Sequence, residues 1–360
     1  MIATIAIDSA ACPVHIGPEL LEGVRDFIDA ELPDVDRILL IADGRVLEHH
    51  GARLRGFVGV PVHVLPSGEV AKSLRQLELA LAACADEGLS RSSVIVSLGG
   101  GATSDLAGLT ASLFKRGLRV VHIATSLLAQ VDASIGGKTA INLPAGKNLA
   151  GTFHAPTAIF ADTSILRTVS PLDWRAGLGE VVKTALIAGE AQLAFVEQNV
   201  DAILERDLDV VADLVRRCVE AKGAVVTEDP FEEGPRRVLN LGHTFAHAIE
   251  FAAGYTGIAH GVAVACGIGL ALEAAQEIDL LEDADLPKRV NRLFGRLGLP
   301  RTILELRSPM RPLAPSVLMR AFEHDKKGRF GEPRFVLPKA VGRFDLSVKL
   351  DGELLEHLLR

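Results

Sequence analysis

Short β-branched hydrophobic runs alternate with helical patterns from the start of the chain to about residue 165. The runs have the length and composition of buried strands and fall at residues 37–42, 60–65, 93–98, 119–124 and 158–161. Between the second and third runs, residues 73–87 have a helical pattern. Strands that alternate with helices indicate a parallel sheet with helices on its faces.

The pattern changes near residues 168–171. From there to residue 275 it is almost continuously helical, apart from an acidic, turn-like segment at 227–234, and a further helix is predicted at 285–297. A hairpin-like pair of runs at 333–337 and 344–348 precedes a terminal helix. The length of 360 residues suits two domains. We therefore predict an α/β protein, with a Rossmann-like parallel-sheet domain at 1–168 and a mostly α-helical domain at 169–360.

The composition narrows the class of protein. The formal net charge is −8, which argues against a general affinity for nucleic acid or for an anionic membrane. The four cysteines are scattered without a CxxC spacing, which favours a reduced, intracellular compartment over a disulfide framework. No signal peptide is evident, and the longest apolar run, residues 261–272, ends at Glu273, well short of a membrane span. We expect a soluble, cytoplasmic protein with neither nucleic acid nor membrane as a partner.

The metal prediction starts from polar side chains that interrupt the apolar pattern between residues 236 and 250. If the segment is helical, one face carries four polar residues at intervals of three and four: Asn240, His243, His247 and Glu250. Burying two imidazoles, a carboxylate and an amide is costly without partners. Ordinary hydrogen-bonded or solvated histidines are the alternative, but two of them one turn apart favour an ion bound to this face.

A divalent metal fits this face best. Catalytic zinc is typically held by three protein ligands drawn from His and Glu, with a fourth position open. His243 and the downstream His260 are candidate ligands, and the third is expected to be an acid on a separate helix. Glu180 is that candidate, because it lies in an otherwise apolar helical run. For Glu250 we expect a supporting role, as the partner that orients one of the histidines.

A glycine turn follows the strand predicted at 93–98. Gly99, Gly100 and Gly101 lead directly into a helix-like start at residues 102–108, an arrangement that brings backbone N–H groups against a phosphate. Glycine has no Cβ, so the backbone can approach a ligand closely. The sequence is neither GxGxxG nor a Walker A motif, and a simple tight turn remains the alternative.

Three further polar residues follow predicted strands. Glu69 and Lys72, spaced by three, come after the run at 60–65, where a helix cap with a surface ion pair is the simpler interpretation. Asp43 follows the run at 37–42. It is placed either to bind a ribose hydroxyl, as in dinucleotide folds, or to serve as a turn residue.

The densest polar segment is residues 125–148. It interleaves small hydroxyls, two adjacent glycines and the cations Lys138 and Lys147 with apolar residues, which a solvated loop rarely does. Arg116 adds a cation just before the strand at 119–124. The segment therefore predicts a pocket for an anionic, hydroxylated small molecule.

Together these segments resemble the 3-dehydroquinate synthases, members of the sugar-phosphate cyclase superfamily. The resemblance extends from Pro66 to Leu337. Its motifs occur in the family's order at residues 99–108, 127–132, 136–139, 146–149, 179–183, 239–244, 247–250, 260–261 and 325–327. The resemblance implies a metal- and NAD-dependent cyclisation of 3-deoxy-D-arabino-heptulosonate 7-phosphate to 3-dehydroquinate with loss of phosphate, a step of the shikimate pathway of aromatic amino acid biosynthesis.

The resemblance also implies roles for individual residues and a homodimer. The metal, Zn²⁺ or Co²⁺, is expected on Glu180, His243 and His260. The nucleotide contacts correspond to Glu69, Lys72, Gly101, Asp105, Thr125, Ser126 and Thr168, and the predicted nucleotide site also includes Asp43, Gly99, Gly100, Lys138 and Lys147. The substrate contacts correspond to Arg116, Asp132, Lys138, Lys147, Asn148, Lys183, Lys222, Arg236, Asn240, His247 and Lys326. His247 is expected to be the proton shuttle or a phosphate contact.

Other enzyme classes remain as alternatives. A sister cyclase, such as a 2-deoxy-scyllo-inosose, valiolone or aminodehydroquinate synthase, would act on another sugar phosphate. Asn240, His247 and Lys326, where valiolone-forming relatives are expected to differ, are retained here and favour a dehydroquinate synthase. An iron-type or glycerol dehydrogenase shares the two-domain plan and a glycine turn, but would consume NAD stoichiometrically. A catalytically inactive relative is disfavoured by the intact set of metal ligands.

Overall fold

A computed structural model of the protein describes residues 1–7, 10–255, 257–306, 313–326 and 333–359, with the side chains of all but residues 323–326. The strands are β1 (Ile2–Ile7), β2 (Ala10–Gly17), β3 (Ile38–Asp43), β4 (Val62–Leu65), β5 (Val94–Gly99), β6 (Arg119–Ala124), β7 (Lys138–Leu143), β8 (Gly146–Phe153), β9 (Ala158–Asp162), β10 (Phe335–Ala340) and β11 (Arg343–Val348). The helices are α1 (Val24–Glu31), α2 (Gly44–His50), α3 (Leu74–Asp86), α4 (Gly101–Leu113), α5 (Pro171–Ala188), α6 (Glu190–Gln198), α7 (Val200–Glu205), α8 (Leu208–Glu228), α9 (His243–Ala252), α10 (His260–Glu277), α11 (Leu286–Leu297), α12 (Pro315–Lys326) and α13 (Gly352–Leu358).

One sheet dominates the first half of the chain. Seven strands of the described residues form it in the order β1-β2-β9-β6-β5-β3-β4. β1 and β2 are antiparallel, and the other neighbouring pairs are parallel. The five hydrophobic runs correspond to β3, β4, β5, β6 and β9, and β6 has the predicted bounds. The predicted α/β fold with a parallel sheet is confirmed.

The inner parallel strands β3, β5 and β9 are buried on both faces, as is usual for parallel strands. On one face, Leu40 of β3 belongs to a core cluster that also contains Val24 and Ile28 of α1. On the other face, Leu39 and Ile41 belong to a cluster that contains residues of α3 and α4. Successive side chains of a strand point to opposite faces, so a continuous hydrophobic run supplies both cores.

The chain divides into two compact units. The first comprises Met1–Val169 and Arg206–Phe231, and the second comprises Ser170–Glu205 and Glu232–Arg360. The first break lies within the boundary predicted at residues 168–171. Helix α8, which the sequence pattern assigned to the helical domain, instead belongs to the first unit, where Thr227 Oγ1 donates to the carbonyl of Ala6 at 3.0 Å. Hydrophobic periodicity predicts a helix but does not specify which distant element it packs on.

In the second unit, α5 and α10 approach each other through glycines. A Cβ on Gly179 would lie 1.9 Å from the carbonyl oxygen of Gly261, and a Cβ on Gly261 would lie 1.8 Å from that of Ala176. Backbones this close leave no room for a side chain at either position. The contact holds Glu180, the neighbour of Gly179, and His260, the neighbour of Gly261, on adjoining helices.

The helix-like stretch at 236–250 is not a single helix. A 3-10 turn covers Pro235–Asn240, and α9 begins only at His243. Between them Gly242 adopts a left-handed conformation with φ +75°, where a Cβ would lie 2.9 Å from the carbonyl oxygen of Val264 on α10. The prediction that Asn240 shares a helix face with the two histidines is therefore wrong, because tertiary contact with α10 bends the chain at Gly242.

The C-terminal predictions are confirmed in the second unit. The predicted hairpin is formed by β10 and β11, and the predicted helices before and after it are α11 and α13. By contrast, the antiparallel hairpin of β7 and β8 lies in the segment interpreted from sequence only as a polar pocket. Within the described ranges, no helix is long and apolar enough to cross a membrane.

Candidate metal site and polar network

Three predicted metal ligands converge in the second unit. Glu180 lies fully buried on α5, and His243 and His260 are the first residues of α9 and α10. The Nε2 atoms of His243 and His260 lie 3.7 Å and 3.5 Å from Glu180 Oε1. One ligand atom from each of the three residues lies within 4.8 Å of the others, which suits a shared divalent cation.

His243 presents a lone pair toward Glu180. Its Nδ1–H donates to the carbonyl of Leu241 at 3.2 Å. Burial lowers the pKa of His243 well below its usual value, and the nearby Lys183 ammonium adds to the effect, so the imidazole is neutral. Its Nε2 therefore faces a carboxylate oxygen as a second acceptor, an arrangement that a cation bound between the two atoms stabilises.

Glu250 contacts the third ligand. Its buried carboxylate lies 3.4 Å from His260 Nδ1 and accepts that N–H, which leaves His260 Nε2 as a lone pair facing Glu180. The predicted contact of Glu250 with a histidine is confirmed. A carboxylate behind a metal-ligating histidine fixes the orientation of the ring and raises its basicity.

The carboxylate of Glu180 shows whether a cation fits. Neither of its oxygens accepts a hydrogen bond from the described residues, although Oε2 forms an ion pair with the ammonium of Lys183, one turn along α5. Buried carboxylates are ordinarily hydrogen-bonded or bound to a metal. Because Oε1 faces the imidazole nitrogens of His243 and His260 and accepts no hydrogen bond within the described ranges, this donor set fits a divalent cation.

Three other predicted residues of the second unit lie on α9, in the turn before it and on α12. His247, exposed on α9, has its ring centroid 5.8 Å from that of His243 and 6.4 Å from that of His260. Arg236 is almost completely buried in the turn before α9. Lys326 is the last residue of α12, and its side chain lies outside the described residues.

In the first unit, predicted nucleotide contacts lie at the carboxyl ends of neighbouring parallel strands. The glycine turn joins β5 to α4, and a Cβ on Gly99 would lie 2.3 Å from Thr103 Oγ1, while one on Gly101 would lie 2.8 Å from the Cβ of Ala133. Thr125 follows β6, and its N–H donates to the carbonyl of Gly99 at 3.0 Å. The crevice outside such strand ends is where open α/β sheets bind ligands.

Three other predicted nucleotide contacts lie in local structure. Ser126 adjoins the glycine turn, since a Cβ on Gly100 would lie 3.3 Å from Ser126 Oγ. Thr168 Oγ1 donates to the carbonyl of Ile165 at 2.9 Å and lies 2.8 Å from His50 Nε2. The carboxylate of Asp43 caps α2 and accepts from Ser67 Oγ at 2.6 Å, which favours the alternative of a turn residue.

A polar network joins residues assigned to the nucleotide and to the substrate. Lys72 Nζ contacts the carboxylate of Asp105 at 2.5 Å and also contacts Oδ1 of Asn148. Asn142 Nδ2 donates to Glu69 Oε1 at 2.7 Å, and Asn142 Oδ1 accepts the N–H of Asn148 at 3.0 Å. Burial raises the pKa of the Asp105 carboxyl, and the Lys72 ammonium opposes this shift. Lys72 is therefore a buried bridge between two side chains and not part of a surface ion pair.

The other predicted cations of the first unit lie on several elements. Lys222 is buried on α8, where its Nζ donates to the carbonyl of Asp132 at 2.7 Å and to Oδ1 of the same residue at 2.9 Å. Arg116 is exposed in a turn with φ +68°. Lys138 begins β7 and Lys147 lies in β8. The structure thus pairs Asp132 with a cation that is distant in sequence.

Two residues that contact predicted site residues, Asn142 and Glu232, are not indicated by the sequence pattern. Asn142 lies in the polar segment at 125–148 but was given no role of its own. Glu232, which accepts a hydrogen bond from Asn240 Nδ2 at 2.5 Å, lies in the acidic segment interpreted as a turn. The sequence signal is a polar side chain in a motif-rich segment for Asn142 and an acidic side chain in a turn-like segment for Glu232, and neither signal identifies the partner without the fold.

Family models match most of the chain. The model described as 3-dehydroquinate synthase N-terminal matches residues 62–176, and the one described as 3-dehydroquinate synthase C-terminal matches residues 177–328. A 3-dehydroquinate synthase of Nitrosospira multiformis is 37% identical over 356 residues, covering 96% of this chain and 93% of that protein. The chain belongs to the 3-dehydroquinate synthase family.

A second relative agrees with this assignment. The 3-dehydroquinate synthase of Paracoccus denitrificans is 38% identical over 366 residues, covering 99% of this chain and 98% of its own. The predicted resemblance, and with it the prediction of an enzyme, is confirmed.

Solved structures of sister cyclases share the two-domain fold. A 2-deoxy-scyllo-inosose synthase complexed with carbaglucose-6-phosphate, NAD⁺ and Co²⁺ has a TM-score of 0.88 at 28% identity, covering 100% of this chain and 99% of that one. A 2-epi-5-epi-valiolone synthase from Streptomyces hygroscopicus with NAD⁺ and Zn²⁺ has a TM-score of 0.84 at 27% identity, covering 98% and 97%. A probable glycerol dehydrogenase from Sinorhizobium meliloti, at 15% identity and a TM-score of 0.68 over 96% of this chain and 94% of its own, shares the fold alone.

Proposed function

We propose that the protein catalyses the cyclisation of 3-deoxy-D-arabino-heptulosonate 7-phosphate to 3-dehydroquinate, with release of phosphate, and uses NAD and a divalent metal, Zn²⁺ or Co²⁺. Membership of the family supports the reaction. The observation that carries the metal is the convergence of a buried carboxylate oxygen and two imidazole lone pairs at Glu180, His243 and His260. Solved sister cyclases hold NAD⁺ together with Co²⁺ or Zn²⁺, which supports the cofactor pair.

Glu180, His243 and His260 are the residues that hold the metal in this proposal. A divalent cation there supplies Lewis acidity to a substrate hydroxyl or carbonyl oxygen. The chain keeps both imidazoles in the ligating tautomer, since Leu241 accepts the Nδ1–H of His243 and Glu250 accepts that of His260. The protein thus orients the ligands before any metal arrives.

The nucleotide site lies at the glycine turn of the first unit. Bound NAD would supply a hydride acceptor that is not consumed in the overall reaction. The N-terminus of α4 directs backbone N–H groups to the nucleotide's phosphates. The proposed contacts are Glu69, Lys72, Gly99, Gly100, Gly101, Asp105, Thr125, Ser126, Lys138, Lys147 and Thr168.

A set of cations and small polar groups is assigned to the substrate. The cations match a substrate that carries both carboxylate and phosphate, since Arg and Lys bind such groups by charge-assisted hydrogen bonds. Their full set is Arg116, Lys138, Lys147, Lys183, Lys222, Arg236 and Lys326. Asp132, Asn148 and Asn240 are assigned to substrate hydroxyls, and His247, an exposed residue of α9, is assigned to exchange a proton with the substrate or to bind its phosphate.

The cellular setting completes the proposal. We infer a cytoplasmic homodimer whose partner molecules are small sugar-phosphate acids, without nucleic acid or membrane. The four cysteines are buried thiols, which supports a reducing compartment. The acidic net charge of −8 supports the exclusion of nucleic acid. The homodimer rests on the family resemblance.

One alternative has specific support. The solved sister cyclases, at TM-scores of 0.84 and 0.88, match the fold over nearly the whole chain, so the same scaffold serves other sugar phosphates. Sequence identity favours dehydroquinate synthases, with relatives at 37% and 38% against 27% and 28% for the sister cyclases.

A substrate panel tests the proposal. The purified protein is given NAD, Zn²⁺ or Co²⁺, and in turn the heptulosonate phosphate, glucose 6-phosphate, sedoheptulose 7-phosphate and glycerol, with phosphate and NADH measured together. We expect phosphate release from the heptulosonate phosphate without net NADH, abolished by a chelator and restored by metal. Faster turnover of glucose 6-phosphate or sedoheptulose 7-phosphate would assign the protein to a sister activity. Steady NADH accumulation with glycerol would overturn the cyclase altogether.

A further inference from the structure

Asn142 is the centre of the polar network in the first unit, although the proposed function gives it no role. Three hydrogen bonds hold it. Its backbone N–H donates to the carbonyl of Lys72 at 2.8 Å, its Nδ2 donates to Glu69 Oε1 at 2.7 Å, and its Oδ1 accepts the N–H of Asn148 at 3.0 Å. Asn142 thus touches two residues assigned to the nucleotide and one assigned to the substrate.

The chemistry of its partners fixes how the Asn142 amide is oriented. A backbone N–H only donates, so Oδ1 must face Asn148. A carboxylate only accepts, so Nδ2 must face Glu69. An ionised aspartate has no donor, serine has a single polar atom and leucine has none, so an amide is the group that matches both partners.

Asn148 needs this support because of its backbone. It adopts φ +56°, in the left-handed region that a residue with a Cβ rarely enters, although asparagine tolerates it better than most. Its Oδ1 contacts the ammonium of Lys72, which also pairs with Asp105. The bond from Asn142 fixes the backbone of Asn148, and the bond to Lys72 fixes its side chain.

We propose that Asn142 is a positioning residue whose amide NH₂ group and amide oxygen hold a nucleotide contact and a substrate contact in place. Its NH₂ group orients Glu69 for the nucleotide, and its oxygen holds Asn148 in the left-handed conformation for the substrate. The inference rests on the proposed function, since it takes the roles of Glu69 and Asn148 from it. Each half of the amide supports a different ligand, and the two roles are separable by mutation.

Asn142→Asp removes only the donor. The new carboxylate still accepts the N–H of Asn148 but repels Glu69. We expect the dissociation constant for NAD to rise by about tenfold or more, a size typical of losing an oriented charged contact. Turnover at saturating NAD stays within about threefold of the unmodified enzyme, because the acceptor remains.

Asn142→Leu removes both halves in a side chain of similar size. We expect weaker NAD binding together with a fall in turnover at saturating NAD of about tenfold, because Asn148 loses the bond that holds its backbone. Circular dichroism and the melting temperature check that the variant is folded. Gln76→Glu, on the neighbouring α3, adds the charge of the aspartate variant outside the network and should change both values by less than about twofold.

The double variant Asn142→Asp with Glu69→Gln restores a donor and an acceptor between the two side chains. The glutamine introduced at position 69 donates its NH₂ group to the carboxylate introduced at position 142, which still accepts the N–H of Asn148. NAD affinity should return to that of Glu69→Gln alone, a coupling that a purely structural residue would not show. Additive losses in the double variant, or an Asn142→Leu enzyme within twofold of normal in both values, would overturn the inference. If the unmodified enzyme itself bound no NAD or released no phosphate, the proposed function would fail instead.

Discussion

The two polar clusters described in this protein differ in whether their buried polar groups find hydrogen-bond partners within the protein. In the first unit, the Lys72 ammonium lies between the oxygens of Asp105 and Asn148, and the Asn142 amide lies between a carboxylate and an N–H. Donors and acceptors alternate there, so the network is satisfied without a ligand. In the second unit, one carboxylate oxygen and two imidazole nitrogens face one another as acceptors.

The difference concerns how each cluster depends on its ligand. A satisfied network is already organised, and a ligand that binds there exchanges one set of hydrogen bonds for another. A set of facing acceptors is costly in a low-dielectric interior until a cation joins it. We therefore expect the metal to contribute to the stability of the second unit as well as to the chemistry, since a ligand that binds only the folded state stabilises it.

The largest effect is expected from His243→Ala. Two protein ligands remain, so bound metal and activity should disappear together. Turnover should fall by more than about a thousandfold, since a catalytic metal contributes several kcal/mol of charge stabilisation. Metal content by atomic absorption and phosphate release are the two measurements.

Two histidine variants serve as controls for this experiment. His247→Ala should keep its metal while turnover falls on the order of a hundredfold, the usual contribution of a proton-transferring residue. His357→Ala, an exposed position on α13, should change neither value. Full metal content in His243→Ala would refute the ligand assignment, and full activity in His247→Ala would refute its role.

Removal of the metal should destabilise the second unit. Trp174, the single tryptophan of the chain, is buried on α5 and reports the unfolding of this unit by fluorescence. Metal at about a hundred times its dissociation constant should stabilise the folded state by about 2.7 kcal/mol over the chelated protein. The His243→Ala variant should unfold at the lower midpoint of the chelated protein, whether or not metal is added. If the chelated and the metal-bound wild-type proteins unfolded at the same midpoint, the three acceptors would be tolerated without a cation.

Glu250→Gln should weaken the metal without removing it. Glutamine keeps an acceptor for His260 Nδ1–H but lacks the negative charge behind the ring. We expect metal affinity, measured by competition with a chelator, to fall by about 10- to 100-fold, as for other residues that support a ligating histidine. Glu277→Gln, exposed on α10, is the matched control. Unchanged affinity would show that Glu250 does not support the site.

The last effect is the smallest at neutral pH, and it lies in the core of the first unit, away from both clusters. Burial lowers the pKa of His122 to about 3, while the unfolded chain has an ordinary value of about 6.5. Between these values only the unfolded state binds the proton, so stability is lost as pH falls from about 6.5 to about 3, at up to about 1.4 kcal/mol per pH unit. In the metal-saturated protein, His122→Asn should flatten the dependence of urea unfolding on pH over this window. If the free energy of unfolding of His122→Asn depended on pH as steeply as that of the unmodified protein, the lowered pKa of His122 would be contradicted.

The hydrophobic pattern of the sequence predicts a strand well where the strand itself is regularly buried. β6 was predicted with its exact bounds, and β3, β5 and β9 within a residue at either end, because strands buried on both faces appear as uninterrupted hydrophobic runs. The hairpin of β7 and β8 was missed since β8 is exposed or half-buried along its length and shows no alternation. A strand without a buried face leaves no periodic signal.

The sequence by itself determined the sheet, the helical second half and the residue types of the metal site, since strand and helix periodicity and ligand chemistry are local properties. Tertiary structure decided the rest. The bend at Gly242 follows from contact with α10, the place of α8 follows from contact with β1, and Lys222 meets Asp132 only after the chain folds. The role proposed for Asn142 also follows from the tertiary structure, because its partners Glu69 and Lys72 are distant in sequence.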